Sequence, residues 1–278
     1  MRVQRILAAV DLSTSTPRAV LTAAELAAGA RAELVVLTVI GDPWAFVEAG
    51  EVEGQRRAHI GSFSGLAASR ATKRLRELTS SAILPARAVE FRTAFGVPAI
   101  EIIRCAQEES ADLIVLGRPA VDPGRPPEKS VTAAVLQRSR VPVVLAPLHH
   151  VTVHRVVAAV DGGPPSLVAE IRDVAETLAG TYGASIAALH VERPGTAPVA
   201  GSSWEMPPGG GTAVATQWEV LLRHGEPVHE ILAAIEEHQV DLLVVGYRRG
   251  AAVSGGPENC IAGQVLRRAS CAAVAVPI

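Results

Sequence analysis

Asp11 and Asp161 stand where an open α/β fold places its chemistry. Asp11 closes the apolar run Ile6 to Val10, and Asp161 closes Val156 to Val160. A carboxylate at the end of a buried first strand offers acceptors to a ribose or an adenine amino group. It can equally cap the following helix or accept local backbone amides, and the residues leave both roles open. Other chemistry is poorly supplied. Gly124 to Ser130 has the outline of a phosphate-binding loop but lacks the glycine before lysine, and Pro126 and Pro127 have no amide hydrogen to donate. His150 and His154 would share a face in a helix, which Val151, Thr152 and Val153 disfavour, so no metal site is expected. His229-Glu230 has Ala233 where a zinc-protease motif needs a second histidine. Cys105, Cys260 and Cys271 form no CxxC pair. No nucleophile and base recur together, so no catalytic residue is assigned and the chain is expected not to be an enzyme.

The elements that must position these groups occur twice. Arg5 to Asp11 is echoed by Arg155 to Asp161 at an offset of 150. Gly96-Val97-Pro98 returns as Gly225-Glu226-Pro227, and Ala111 to Gly117 as Val240 to Gly246, both at an offset of 129. Val143 to Pro147 is matched by Val274 to Pro277. Blocks repeated in one order mean a duplicated domain, read as residues 1–148 and 153–278. In each copy short, continuously apolar runs alternate with helix-period segments. This is the pattern of a doubly wound parallel sheet of five strands with helices on both faces.

In the first copy the strands are expected at about 5–11, 33–40, 87–93, 112–117 and 142–147. Thr16 is the expected N-cap of the first helix, with Pro17 at its first position. A second helix carries Ile60, Phe63, Ala67, Ala71, Leu75 and Leu78 on one face. Asp11 to Asp112 spans 101 residues but Asp161 to Asp241 only 80, so the second copy has lost 21. The loss falls between its second and third strands, where Pro- and Gly-rich sequence from Arg193 to Thr212 is expected to be a loop, leaving the sheet beneath without a covering helix.

Composition sets outer limits. Lys+Arg 26 against Asp+Glu 28 leaves a net charge of -2, which argues against a nucleic-acid partner held through phosphates. Aromatics at 3% leave few stacking platforms, and 49% hydrophobic residues argue against disorder. The run Ile6 to Val10 is too short to span a membrane. Unpaired cysteines point to a reducing, cytoplasmic compartment.

With these residues in place, Ile6 to Asp11, Leu37 to Val39, Ala111 to Gly117 and Val141 to Val144 resemble the universal stress protein domain. Ala188 to Val191, Asp241 to Gly246 and Ala269 to Pro277 resemble it a second time. The resemblance implies two Rossmann-like domains of the adenine-nucleotide α-hydrolase-like type, a cytoplasmic stress-response role without established catalysis, and domains paired through their last strands. A subset of the family binds ATP through Gly-x2-Gly-x9-Gly-Ser/Thr after the fourth strand. Carried over, that pocket comprises Asp11, Val39, Gly117, Lys129, Ser130 and Val131 in the first copy. In the second it comprises Asp161, Val191, Gly246, Arg249, Asn259 and Cys260. Each copy keeps the first glycine and loses the other two.

Four prolines, Pro119, Pro123, Pro126 and Pro127, deplete the first loop of amide donors. Gly250, Gly255 and Gly256 leave the second less obstructed, although Cys260 replaces its hydroxyl. ATP is therefore expected to bind weakly or not at all, with the second copy favoured. Three classes stay open: a non-catalytic regulatory or binding protein, preferred; an enzyme of the wider adenine-nucleotide group; and a structural module that docks an unknown protein. The bare sheet of the second copy leads to an expected homodimer of the tandem chain.

Overall fold

The computed structural model describes residues 1–13, 16–41, 53–80, 88–118, 130–147, 152–160, 165–193, 218–248 and 260–278, with side chains of the second and fifth helices from 65 and 168 onward. The described residues form two compact units, Val3–Arg118, and Pro119–Ile278 together with Met1–Arg2. The expected loop from Arg193 to Thr212 lies, beyond Arg193, outside the described residues.

The first unit runs β1 (Arg5–Val10), α1 (Thr16–Ala30), β2 (Glu33–Ile40), α2 (Glu53–Thr79), β3 (Val89–Phe95), α3 (Pro98–Glu108) and β4 (Leu113–Leu116). Its strands are parallel in the order β3-β2-β1-β4. The central ones are buried along their middle residues, which explains the unbroken aliphatic sequence there. β3 runs on to Phe95, two residues past the expected end, because the β2 pairing continues to Ile40 opposite Phe95. Thr16 is also corrected: it is the first residue of α1 rather than its cap. A turn from Thr16 N to Ser13 O (3.2 Å) draws it into the helix, and its buried hydroxyl has no hydrogen-bond partner among the described residues.

The second unit contains α4 (Val131–Arg138), β5 (Val143–Leu145), β6 (Arg155–Ala159), α5 (Pro165–Tyr182), β7 (Ser185–Glu192), β8 (Glu219–His224), α6 (Pro227–Glu237), β9 (Leu242–Tyr247), α7 (Ile261–Arg268) and β10 (Ala272–Pro277). Strand order is β5-β10-β9-β6-β7-β8, parallel except for β5. β5 and β10 pair antiparallel with Val144 opposite Val274, so the apolar edge each would otherwise expose is covered by the other. Val157, Ala159, Ala187, Leu189 and Leu221 pack beneath α6 and α7. Alternation along the strands turns Val156, Ala158 and Ala188 to the opposite face, where α5 lies. Helices therefore lie on both faces of the inner strands, β6 and β7.

The repeated blocks have repeated work. Asp112 Oδ2 accepts the amides of Gln4 (2.7 Å) and Arg5 (3.0 Å), and Asp241 Oδ2 accepts those of His154 (2.8 Å) and Arg155 (3.0 Å). In each repeat one carboxylate oxygen ties the start of the first strand to the start of the fourth. Gly96 and Gly225 sit at φ 139° and 150°, which side chains rarely adopt, and a Cβ on Gly225 would lie 2.9 Å from Glu230 Oε1. Two residues on, Pro98 and Pro227 start α3 and α6 with φ already set for a helix.

Two measurements test this frame. Asp112→Ala and Asp241→Ala should each lower unfolding free energy by about 1–3 kcal/mol, since two amides lose a charged acceptor. Urea titration reads this, and unchanged midpoints would mean that water replaces the carboxylate. Burial pushes the Cys105 thiol up to about 11, so thiolate, the reactive form, is scarce at pH 8. Because the folded state keeps its proton longer than the unfolded state, this thiol also removes stability as pH rises from about 9 to 11. Iodoacetamide at pH 8 should label half-buried Cys260 well before Cys105, and equal rates would contradict that burial.

Candidate functional site

Parallel strands pinned at their amino ends must open at their carboxyl ends. In the first unit β1 lies between β2 and β4, with Val10 opposite Thr38 and Ala9 opposite Leu116. Strand order reverses at β1, where Asp11 follows Val10, Val39 follows Thr38 and Gly117 follows Leu116. This is the crevice where open α/β sheets receive ligands. Asp11 is exposed, and its Oδ1 accepts the Ser13 amide at 3.0 Å, so that oxygen serves the local backbone. Leu12 between them is held at φ 61°, a left-handed conformation that costs a side-chain-bearing residue about 1–2 kcal/mol. Val39 is half-buried, Gly117 follows β4, and Arg118 after it is buried.

Ser130 and Val131 belong to the other unit. Ser130 is the N-cap of α4 in extended conformation, and its hydroxyl makes no capping bond to that helix. Val131 is the first helical residue. Lys129, Asp161, Arg249 and Asn259 lie outside the described residues.

The second repeat builds the corresponding crevice around β6, whose Ala159 pairs with Leu189 on β7 and Val245 on β9. Val191 is half-buried and packs against the core under α6 and α7. Gly246 lies within β9 opposite Val276, and Tyr247 beside it is 2% exposed. Cys260 caps α7: its backbone is extended and its Sγ accepts the Gly263 amide at 3.3 Å. A weak acceptor thus occupies the position that a hydroxyl fills in the ATP-binding signature.

His190 escaped the sequence reading. It stands where the first repeat has buried Thr38, and its Nδ1 lies 3.0 Å from the Val160 carbonyl. A carbonyl only accepts, so Nδ1 carries the hydrogen and Nε2 is the acceptor of the neutral ring. The signal was the Thr-to-His change between aligned repeats at the end of a second strand. Among the described residues no group of three or more His, Cys, Asp or Glu could hold a metal ion. No helix among them is long and apolar enough to cross a membrane.

Known proteins with this arrangement share the fold. A universal stress protein from Archaeoglobus fulgidus DSM 4304 superposes with a TM-score of 0.68 at 19% identity, covering 98% of this chain and 96% of that one. A functionally unknown protein from Pseudomonas aeruginosa PAO1 gives 0.66 at 17%, over 99% of this chain and 92% of its own. A universal stress protein crystallised with cAMP is 25% identical over 52% of this chain and 98% of its own, but its TM-score of 0.36 carries no ligand across. No curated protein sequence matches. The universal stress protein family matches residues 2–147 and again 152–277, so the chain belongs to that family and carries its domain twice in tandem.

Proposed function

We propose that this chain is a non-catalytic stress-response protein of the cytoplasm, acting by binding, with nucleotide pockets that have degenerated. The observation that carries the proposal is Cys260. Sulfur replaces the hydroxyl at the head of α7 and already accepts the Gly263 amide, so the helix end offers phosphate one donor fewer. Asp11 Oδ1 accepts the Ser13 amide and His190 Nδ1 meets the Val160 carbonyl, so both groups serve the local backbone. The chain works as a homodimer, and an unknown protein is the remaining class of partner.

A chain with one competent site is the second reading. Loop composition favours the second repeat for it, whereas capping favours the first, where the Ser130 hydroxyl is not engaged by α4.

Calorimetry with ATP and magnesium tests both. The proposal expects no binding tighter than micromolar, about -8 kcal/mol, and no phosphate release. Cys260→Ser should strengthen whatever binding exists in the second repeat about fivefold, the worth of one hydrogen bond near 1 kcal/mol. A submicromolar constant in the native chain, abolished by Ser130→Ala, would establish a competent first site instead. Steady ATP turnover would overturn the non-catalytic reading.

A further inference from the structure

The outer strand of the second repeat has a face that no described element covers. Among the described strands β8 has β7 as its one neighbour, so no described strand pairs with its other side. The Gly225 amide bonds to the Glu192 carbonyl of β7. Because successive strand residues turn their N–H and C=O to opposite sides, Val220 and Leu222 turn theirs away from β7. Their side chains are 50% and 52% exposed.

The first repeat shows what normally lies there. The counterparts of Val220 and Leu222 are Phe91 and Thr93, both under α2. The Arg76 guanidinium stands 5.4 Å from the Phe91 ring centre, and the hydroxyls of Thr72 and Thr93 are 3.1 Å apart. In the second repeat Trp218 takes the place of Val89 and closes the inner margin, its indole N–H donating to Glu176 of α5 at 3.1 Å. Val220 and Leu222 remain beyond it. An open edge carrying two aliphatic side chains is a template for another strand.

The charges on the other face select the strand. Glu219 and Arg223 flank Leu221 symmetrically, one acidic and one basic. If β8 meets a second β8 antiparallel about a two-fold axis at Leu221, Val220 falls opposite Leu222 of the second copy, and Glu219 opposite Arg223 of the second copy. The outward N–H and C=O of Val220 and Leu222 then face each other as a hydrogen-bonding pair. Shifting by one register step sets either Glu219 or Arg223 against Leu221 and loses the match. Arg155 already bridges Glu219 at 2.5 Å, and Arg223 bridges Glu237 and, at 3.6 Å, Glu230. The pairing would join these into a run of alternating charge across the axis.

We propose that two copies of this chain associate through antiparallel β8 edges in the register centred on Leu221. The proposal rests on the homodimer reading above and names its surface. The experiment is sedimentation equilibrium across micromolar concentrations on the full chain and two charge reversals, Glu219→Arg and Arg223→Glu. Wild type should approach twice 28.9 kDa. Each variant alone opposes like charges at both ends of the interface and should dissociate about tenfold more readily. An equimolar mixture of the two variants restores opposite charges at both contacts and should recover association, which a folding defect in either would not allow.

A monomeric wild type would overturn both this surface and the homodimer. A monomer with Val220 and Leu222 amides protected from hydrogen exchange would further show that the chain covers its own edge. A wild-type dimer insensitive to both reversals would leave the homodimer standing and sink the β8 surface. Weakened single variants without recovery on mixing would sink the register.

Discussion

One carboxylate oxygen in each repeat, Asp112 Oδ2 or Asp241 Oδ2, holds two amides at the start of the first strand, and the candidate site depends on that clamp. Parallel strands have no tight hairpin to set their register, so something else must align strands distant in sequence. Asp112 reaches back 108 residues to Gln4, and Asp241 reaches back 87 to His154. With the amino ends aligned, Asp11, Val39 and Gly117 fall within one residue of one another at the carboxyl ends of their strands. The matching positions in the second repeat include Val191 and Gly246. Asp112 and Asp241 are thus structural, whereas Asp11, ending the first strand, is exposed beside the crevice.

The repeats were legible because each repeated block has a physical job that few residues can do. Gly96 and Gly225 need a backbone angle that side chains resist, and the prolines two residues later begin helices. The alternation of buried strands and one-faced helices was likewise visible, since burial on both sides of a parallel strand leaves an unbroken aliphatic run. Ends were less legible. Thr16 looked like a cap because its residue type suits one, but the turn to Ser13 places it one step inside the helix. β3 extended past its expected end because its length is set by its partner β2, not by its own residues.

The site was legible as positions and not as contacts. Aligning the repeats located Cys260 opposite the missing hydroxyl, yet only the fold shows its sulfur accepting the Gly263 amide. His190 was invisible because its role depends on Val160, thirty residues away in sequence and brought alongside by strand pairing. The two repeats have also diverged in what covers their outer strands. In the first, Arg76 and Thr72 of α2 lie over Phe91 and Thr93; in the second, Trp218 leans on α5 while Val220 and Leu222 face outward. No described element takes the place of α2 over the outer strand of the second repeat.

The chain carries two universal stress protein domains, and the proposal is that their pockets no longer hold nucleotide firmly. Mass spectrometry of freshly purified, denatured protein, searched for released adenine nucleotide, tests it most directly. The account predicts nucleotide far below one equivalent per chain. A full equivalent of ATP released on denaturation would contradict it, because only a pocket with intact phosphate donors retains its ligand through purification.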